Sequence, residues 1–128
     1  MSAVLNLLYV DDDADIRVIV EMALALDPAM VVRTARSGSA ALALASDPAW
    51  RPDVLVLDVI MPEMDGVATL HALRRLPGLD RTPALFMTAK GRAADIAYYR
   101  EEGATGVILK PFDPVHLAAE IRTLIARP

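Results

Sequence analysis

Five short apolar runs alternate along this chain of 128 residues with stretches whose apolar positions recur at helical spacing. Leu5 to Val10 is the first run and ends in Asp11-Asp12-Asp13. Met30 to Ala35 is the second and is more polar, which suits a position near a sheet edge. Val54 to Leu57 ends at Asp58, Ala84 to Met87 ends at Thr88, and Val107 to Leu109 ends at Lys110-Pro111. Apolar runs of this length between turn signals suit strands covered on both faces.

The intervening stretches carry helix signals. From Ile16, the positions Val18, Ile19, Met22, Ala23 and Leu26 follow helical spacing, with Asp12 or Asp13 as the cap and Asp27-Pro28 as the stop. Ser37 is placed to cap an alanine-rich helix from Ser39 to Ser46. Asp65-Gly66 opens a helix through Val67, Leu70, Leu73 and Leu76, closed by Pro77-Gly78. Arg92 to Glu102 forms the next, with Gly103 as its C-terminal glycine. Asp113-Pro114 caps a last helix with Leu117, Ile121, Leu124 and Ile125 on one face. Strand and helix in strict alternation imply a parallel sheet with helices on both sides. Right-handed crossovers leave few topologies, of which the doubly wound order 2-1-3-4-5, a flavodoxin-like three-layer α/β fold, is the expectation.

Composition sets limits on function. The chain is 55% hydrophobic, enough for a core without metal or disulfide support, and its length fits one domain over residues 1–128. No cysteine is present, which excludes disulfides and zinc–thiolate sites and fits a reducing cytoplasm. A net charge of −4 argues against a direct nucleic-acid contact through a basic face. No apolar run reaches the roughly 20 residues a membrane span needs. Met1 to Asn6 lacks a basic leader segment, so a signal peptide is not expected, and with the chain stopping at Arg127-Pro128 no second domain is expected.

In a parallel sheet, the strand-end residues Asp11, Asp12, Asp58, Thr88 and Lys110 share one edge, where open α/β sheets place their ligands. Clustered carboxylates repel and raise one another's pKa unless a cation joins them. A hard divalent ion such as Mg²⁺ suits three carboxylates. A lysine and a hydroxyl on the same rim offer a point charge and a hydrogen-bond donor to phosphoryl oxygens. That set points to phosphoryl transfer onto an aspartate, giving an acyl phosphate.

The blocks Val10-Asp11-Asp12-Asp13, Leu57 to Gly66, Met87-Thr88-Ala89 and Lys110-Pro111-Phe112 resemble, in order and spacing, the signature blocks of receiver domains of bacterial two-component response regulators. The resemblance covers nearly the whole chain. It implies that Asp58 accepts a phosphoryl group from a phosphohistidine, and that Asp12, Asp58 and the Ile60 backbone carbonyl bind Mg²⁺ directly. Asp11 would reach the ion through water. Lys110 would pair with the phosphoryl oxygens, Thr88 would move toward them, and Ala89 would leave that space open. The resemblance also implies a cis Lys110–Pro111 peptide bond.

One position departs from the family pattern. Many receivers carry Tyr or Phe three residues before the lysine, and here that residue is Val107. The readout is then expected through Thr88, the loop after it and the Arg92–Glu102 helix with Tyr98 and Tyr99. By the same resemblance, Ile60 and Lys90 occupy the positions that tune phosphoryl lifetime.

Each residue also has a plainer reading. Acids at 11–13 cap helices, a lone strand-end acid, Thr or Lys is common, and Asp65 is expected only as an N-cap. His71 and His116 are expected to face solvent without an acid partner, and Trp50 to pack beside Pro52. The expected whole is a stand-alone receiver that catalyses only its own phosphorylation and dephosphorylation. Its partners would be a histidine kinase or histidine phosphotransfer protein and a downstream protein target, the latter on the face of the last two helices and strand five. Three rivals stand beside it. An aspartate-nucleophile phosphatase would need an acid where Ile60 stands. A receiver-like module could act without phosphorylation, and the chain could be a receiver fragment of a larger regulator or hybrid kinase.

Overall fold

The computed structural model describes residues 4–126, so the readings placed on Met1–Ala3 and on Arg127–Pro128 lie outside the described residues. Five strands alternate with five helices: β1 (Leu5–Val10), α1 (Ala14–Leu24), β2 (Met30–Ala35), α2 (Gly38–Ala45), β3 (Val54–Asp58), α3 (Gly66–Arg74), β4 (Ala84–Thr88), α4 (Ala93–Glu101), β5 (Gly106–Leu109) and α5 (Leu117–Ile125). All neighbouring strands are parallel, in the expected order β2-β1-β3-β4-β5, and β2 lies at an edge. Every residue of β3 and β4 is buried, which explains why both read as unbroken apolar runs.

Period-two alternation divides the strand residues between two cores. Leu8, Val10, Leu55, Leu57 and Phe86 pack with Leu70 and Leu73 of α3 and Tyr99 of α4. Leu7, Tyr9, Val54, Val56 and Met87 pack with Val20, Ala23 and Leu24 of α1 and Leu117 and Ile121 of α5.

The expected inward face of α1 is corrected. Val20, Ala23 and Leu24 are buried, whereas Val18, Ile19, Met22 and Leu26 are 41–68% exposed. Apolar residues from Ile16 to Leu24 nearly encircle this helix, so spacing alone fits more than one face. Only the sheet decides which side turns in.

Helix ends follow local chemistry. Asp13 is the cap of α1, accepting from the amides of Asp15 and Ile16. Ser37 and Asp65 cap α2 and α3 by accepting from the amides of Ala40 and Ala68. The third helix stops at Arg74 rather than running to Leu76, because Arg75 and Leu76 bond back three residues and tighten its last turn. Gly103, with φ 109°, ends α4: its amide bonds Arg100 O at 3.1 Å and the Ala104 amide bonds Tyr99 O at 3.0 Å. Asp113 caps a separate turn before α5 by accepting from Val115 N, and α5 itself starts at Leu117.

At the edge of the sheet away from Asp58, the Arg74 guanidinium donates to the carbonyls of Leu79, Thr82 and Gly103. It thereby ties α3 to the loop before β4 and to the end of α4. Trp50 is buried with Arg33 over its ring at 4.8 Å, and no partner is found for its indole Nε1 among the described residues. His71 and His116 do face solvent, but each meets an acid: His71 Nε2 lies 3.1 Å from Glu102, and His116 Nδ1 lies 2.6 Å from Asp113. Sequence spacing missed the first pair because Glu102 belongs to another helix end.

Candidate functional site

Parallel pairing carries the ends of β1, β3, β4 and β5 to one edge, since Val10 is in register with Leu57, Asp58 with Met87, and Thr88 with Leu109. Asp11, Asp12, Asp58, Thr88 and Lys110 therefore gather there, as the strand-end pattern predicts. Ligand oxygens from Asp11, Asp12 and Asp58 all lie within 4.8 Å of one another. Asp11 and Asp58 are buried and Asp12 is exposed, which gives the cluster a floor and an open side. Oxygen donors of this charge and spacing could hold a hard divalent cation.

Lys110 brings an ammonium group to the cluster. Lys110 Nζ donates to Asp58 Oδ1 at 3.0 Å and stands 3.8 Å from Asp11 Oδ2. Burial pushes the Asp58 carboxyl above its ordinary value; the Lys110 hydrogen bond opposes this, and the charges of Asp11 and Asp12 add to it. Like-charge repulsion was the expected cause of such a rise, but here it comes after desolvation. Asp58 is only 7% exposed at the end of a fully buried strand.

Asp11 is held on both oxygens. Its Oδ1 accepts from the Asp13 amide at 2.9 Å, and its Oδ2 accepts from the Tyr9 hydroxyl at 2.6 Å. Arg17 Nη1 donates to the Asp11 carbonyl at 2.8 Å, bracing the turn into α1. Burial, then the bond to Asp11, pushes the Tyr9 phenol up from its ordinary range, so Tyr9 is a donor. Sequence reading missed Tyr9 and Arg17. The available signal for Tyr9 was its place two residues before Asp11, which puts both on one face of β1.

The loop after β3 is held close. The Val59 amide bonds Met87 O at 3.2 Å, and the Gly66 amide bonds Val59 O at 2.9 Å. A Cβ at Gly66 would meet the Asp58 carbonyl oxygen and come within 2.9 Å of Val59 Cα, so the return of the chain requires glycine. Ile60 stands between these ties with 70% of its surface exposed.

Thr88 is buried, and its Oγ1 accepts from the Lys90 amide at 3.1 Å, while Ala89 and Lys90 are exposed. The Lys110–Pro111 bond is cis. Val107 is half-buried and packs on the core that holds Phe86 and Tyr99. Tyr99 meets Phe86 edge-on at 5.3 Å and Tyr98 at 5.5 Å, and Tyr98 is 49% exposed. An apolar groove of about 440 Å³ opens beside Lys110, lined by Ile16, Ile19, Ala89, Pro111, Phe112 and Pro114.

Comparison with known proteins agrees with this architecture. Residues 7–122 match the response regulator receiver domain family. The chain is 36% identical over 122 residues to the transcriptional regulatory protein CpxR of Escherichia coli (strain K12), covering 95% of this chain and 50% of CpxR. The same figures hold for the transcriptional regulatory protein PrrA of Mycobacterium leprae. This chain spans about half the length of the curated relatives it matches, 46% and 57% of the ycf27 protein of Guillardia theta and the ycf29 protein of Porphyra purpurea. Among solved structures it is similar to the chemotaxis protein CheY4 of Vibrio cholerae, with a TM-score of 0.84 and 34% identity over 95% of this chain and 99% of that one. The receiver domain of Francisella response regulator 1452 gives a TM-score of 0.80 at 25% identity, over 93% and 94% of the two chains. Among the described residues, no helix is long and apolar enough to cross a membrane. By its sequence blocks, its strand order and its match over residues 7–122, the chain belongs to the response regulator receiver domain family.

Proposed function

We propose that Asp58 accepts a phosphoryl group from a phosphohistidine donor and that the resulting acyl phosphate is the signal. The observation that carries this reading is the Lys110–Asp58 contact at 3.0 Å beside an acidic cluster within 4.8 Å. An Asp58 oxygen attacks phosphorus, the P–N bond to the donor imidazole breaks, and the imidazole leaves with that electron pair. Mg²⁺, held by Asp12, Asp58 and the Ile60 carbonyl with Asp11 reached through water, would neutralise charge on the transferring phosphoryl oxygens. Lys110 would supply a second positive charge. The Thr88 hydroxyl, once released from the Lys90 amide, donates to a phosphoryl oxygen, and the small Ala89 side chain leaves the approach open.

The chemistry acts on the chain itself, so the protein is a receiver and not an enzyme with an external product. The donor, a histidine kinase or histidine phosphotransfer protein, meets the Asp58 edge, where the groove between α1 and the loop after β5 offers apolar contact. The reader protein binds the face of α4, β5 and α5, where Tyr98 and Leu109 are exposed. We place this exchange in the cytoplasm, where ATP feeds kinases.

Two routes for the output remain distinct. The 99% coverage of CheY4 supports a receiver that signals by protein contact or onward transfer. The 50% coverage of CpxR and PrrA supports a receiver that works with an attached output domain. Incubation with Mg²⁺ and acetyl phosphate, followed by intact mass, tests the common step. A phosphoryl adduct absent from Asp58→Asn supports the reading. A wild-type chain that never gains it favours an interaction module independent of phosphorylation.

A further inference from the structure

We propose that Tyr9 is a positioning residue for this site: its hydroxyl occupies the Asp11 oxygen nearest Lys110 and so leaves the lysine to Asp58. The argument rests on the phosphoryl-acceptor reading of Asp58 and on one contested atom. Asp11 Oδ2 accepts from Tyr9 at 2.6 Å and stands 3.8 Å from Lys110 Nζ. The other Asp11 oxygen is already taken by the Asp13 amide. Asp11 is 1% exposed and Tyr9 is fully buried, so bulk water does not replace the phenol.

A phenylalanine at this position would keep the packing of the ring beside Val56 and Met87 and remove only the donor. Asp11 Oδ2 would then be a buried acceptor with the Lys110 ammonium 3.8 Å away. The flexible lysine stem allows the ammonium to move from one carboxylate to the other. Drawn toward Asp11, the ammonium would compete with a cation for that acid and would leave Asp58 without its partner. Tyr9 thus decides which acid the Lys110 ammonium serves.

The test is a double-mutant cycle of Tyr9→Phe and Asp11→Asn, read by calorimetric Mg²⁺ titration and by phosphoryl uptake from acetyl phosphate. Tyr9→Phe is expected to weaken Mg²⁺ binding about tenfold, the size typical of a group that orients a metal ligand, and to slow uptake similarly. In the Asp11→Asn background it is expected to change neither, with thermal melting of each variant recorded as a folding control. Unaltered Mg²⁺ affinity in Tyr9→Phe, or an equal loss in both backgrounds, overturns the inference and leaves the acceptor reading intact. A wild-type chain that binds no Mg²⁺ and gains no phosphoryl group overturns both.

Discussion

Lys110 Nζ and Asp58 Oδ1 meet at 3.0 Å across 52 residues of sequence, so the end of β5 answers the end of β3 although β4 lies between them. Lys110→Ala should remove the charge that faces the transferring group. Phosphoryl uptake from acetyl phosphate is expected to fall about 100-fold, the scale seen when one preorganised stabilising group is lost. Mg²⁺ affinity should hold or rise, because a competing cation is gone. Stopped-flow uptake together with calorimetry checks both parts, and unimpaired uptake would remove Lys110 from the mechanism.

The raised Asp58 carboxyl has a sign in stability. A folded-state pKa above the ordinary 3.8 means that the folded chain holds this proton more tightly than the unfolded chain. The contribution of Asp58 is therefore full below that ordinary value and is lost as pH rises through the higher folded value. At neutral pH, Asp58→Asn relieves an ionised group of its burial and of two acidic neighbours. Its Tm is expected to exceed that of the wild type by a few degrees, with the gain vanishing toward about pH 4. Melting curves across that range decide the matter, and a lower Tm at neutral pH would refute it.

Ile60 offers no polar atom to a water approaching an acyl phosphate at Asp58, and its side chain is 70% exposed at that mouth. Ile60→Asn should shorten the phosphoryl lifetime several-fold without altering uptake. Decay of the phosphorylated mass after removal of the donor measures this directly; equal or slower decay counts against it.

Gly66 is required by close approach rather than by its φ angle. Ala at this position would press on the Asp58 carbonyl and the Val59 Cα, an overpacking that costs about 1–3 kcal/mol. Both a lower Tm and slower phosphoryl uptake are expected, because the pressed atoms belong to Asp58 and the residue after it.

Tyr98 and Tyr99 separate stability from readout. Tyr99 is buried against Phe86, and its truncation to Ala should cost about 3–5 kcal/mol. Tyr98→Ala, at a half-exposed ring, should leave Tm nearly unchanged while reducing the phosphorylation-dependent amide shifts of α4 and β5. Undiminished shifts would place the readout elsewhere.

The strand order and the edge that gathers Asp11, Asp12, Asp58, Thr88 and Lys110 were legible because alternation and strand-end chemistry are local signals. The face of α1 was not. An apolar sequence around nearly the whole helix leaves its rotation to the sheet, so Val18 and Met22 look like core residues and face water. The His71–Glu102 pair and the hold of Tyr9 on Asp11 were equally hidden. One joins two helix ends, and the other depends on a hydroxyl within a run that reads as apolar.

Arg74 closes the far end of the same scaffold. By joining α3, the loop before β4 and the Gly103 carbonyl at the end of α4, it pins that end of α4 to the body of the sheet. The N-terminal end of α4, which follows the Thr88 loop, has no side-chain cap to hold it. A rearrangement begun at Thr88 would then be expected to move the N-terminal end of α4 more than the end held at Gly103. On the proposed reading, a small displacement of the Thr88 hydroxyl would become an angle, and a partner lying along α4 would sense tilt rather than translation.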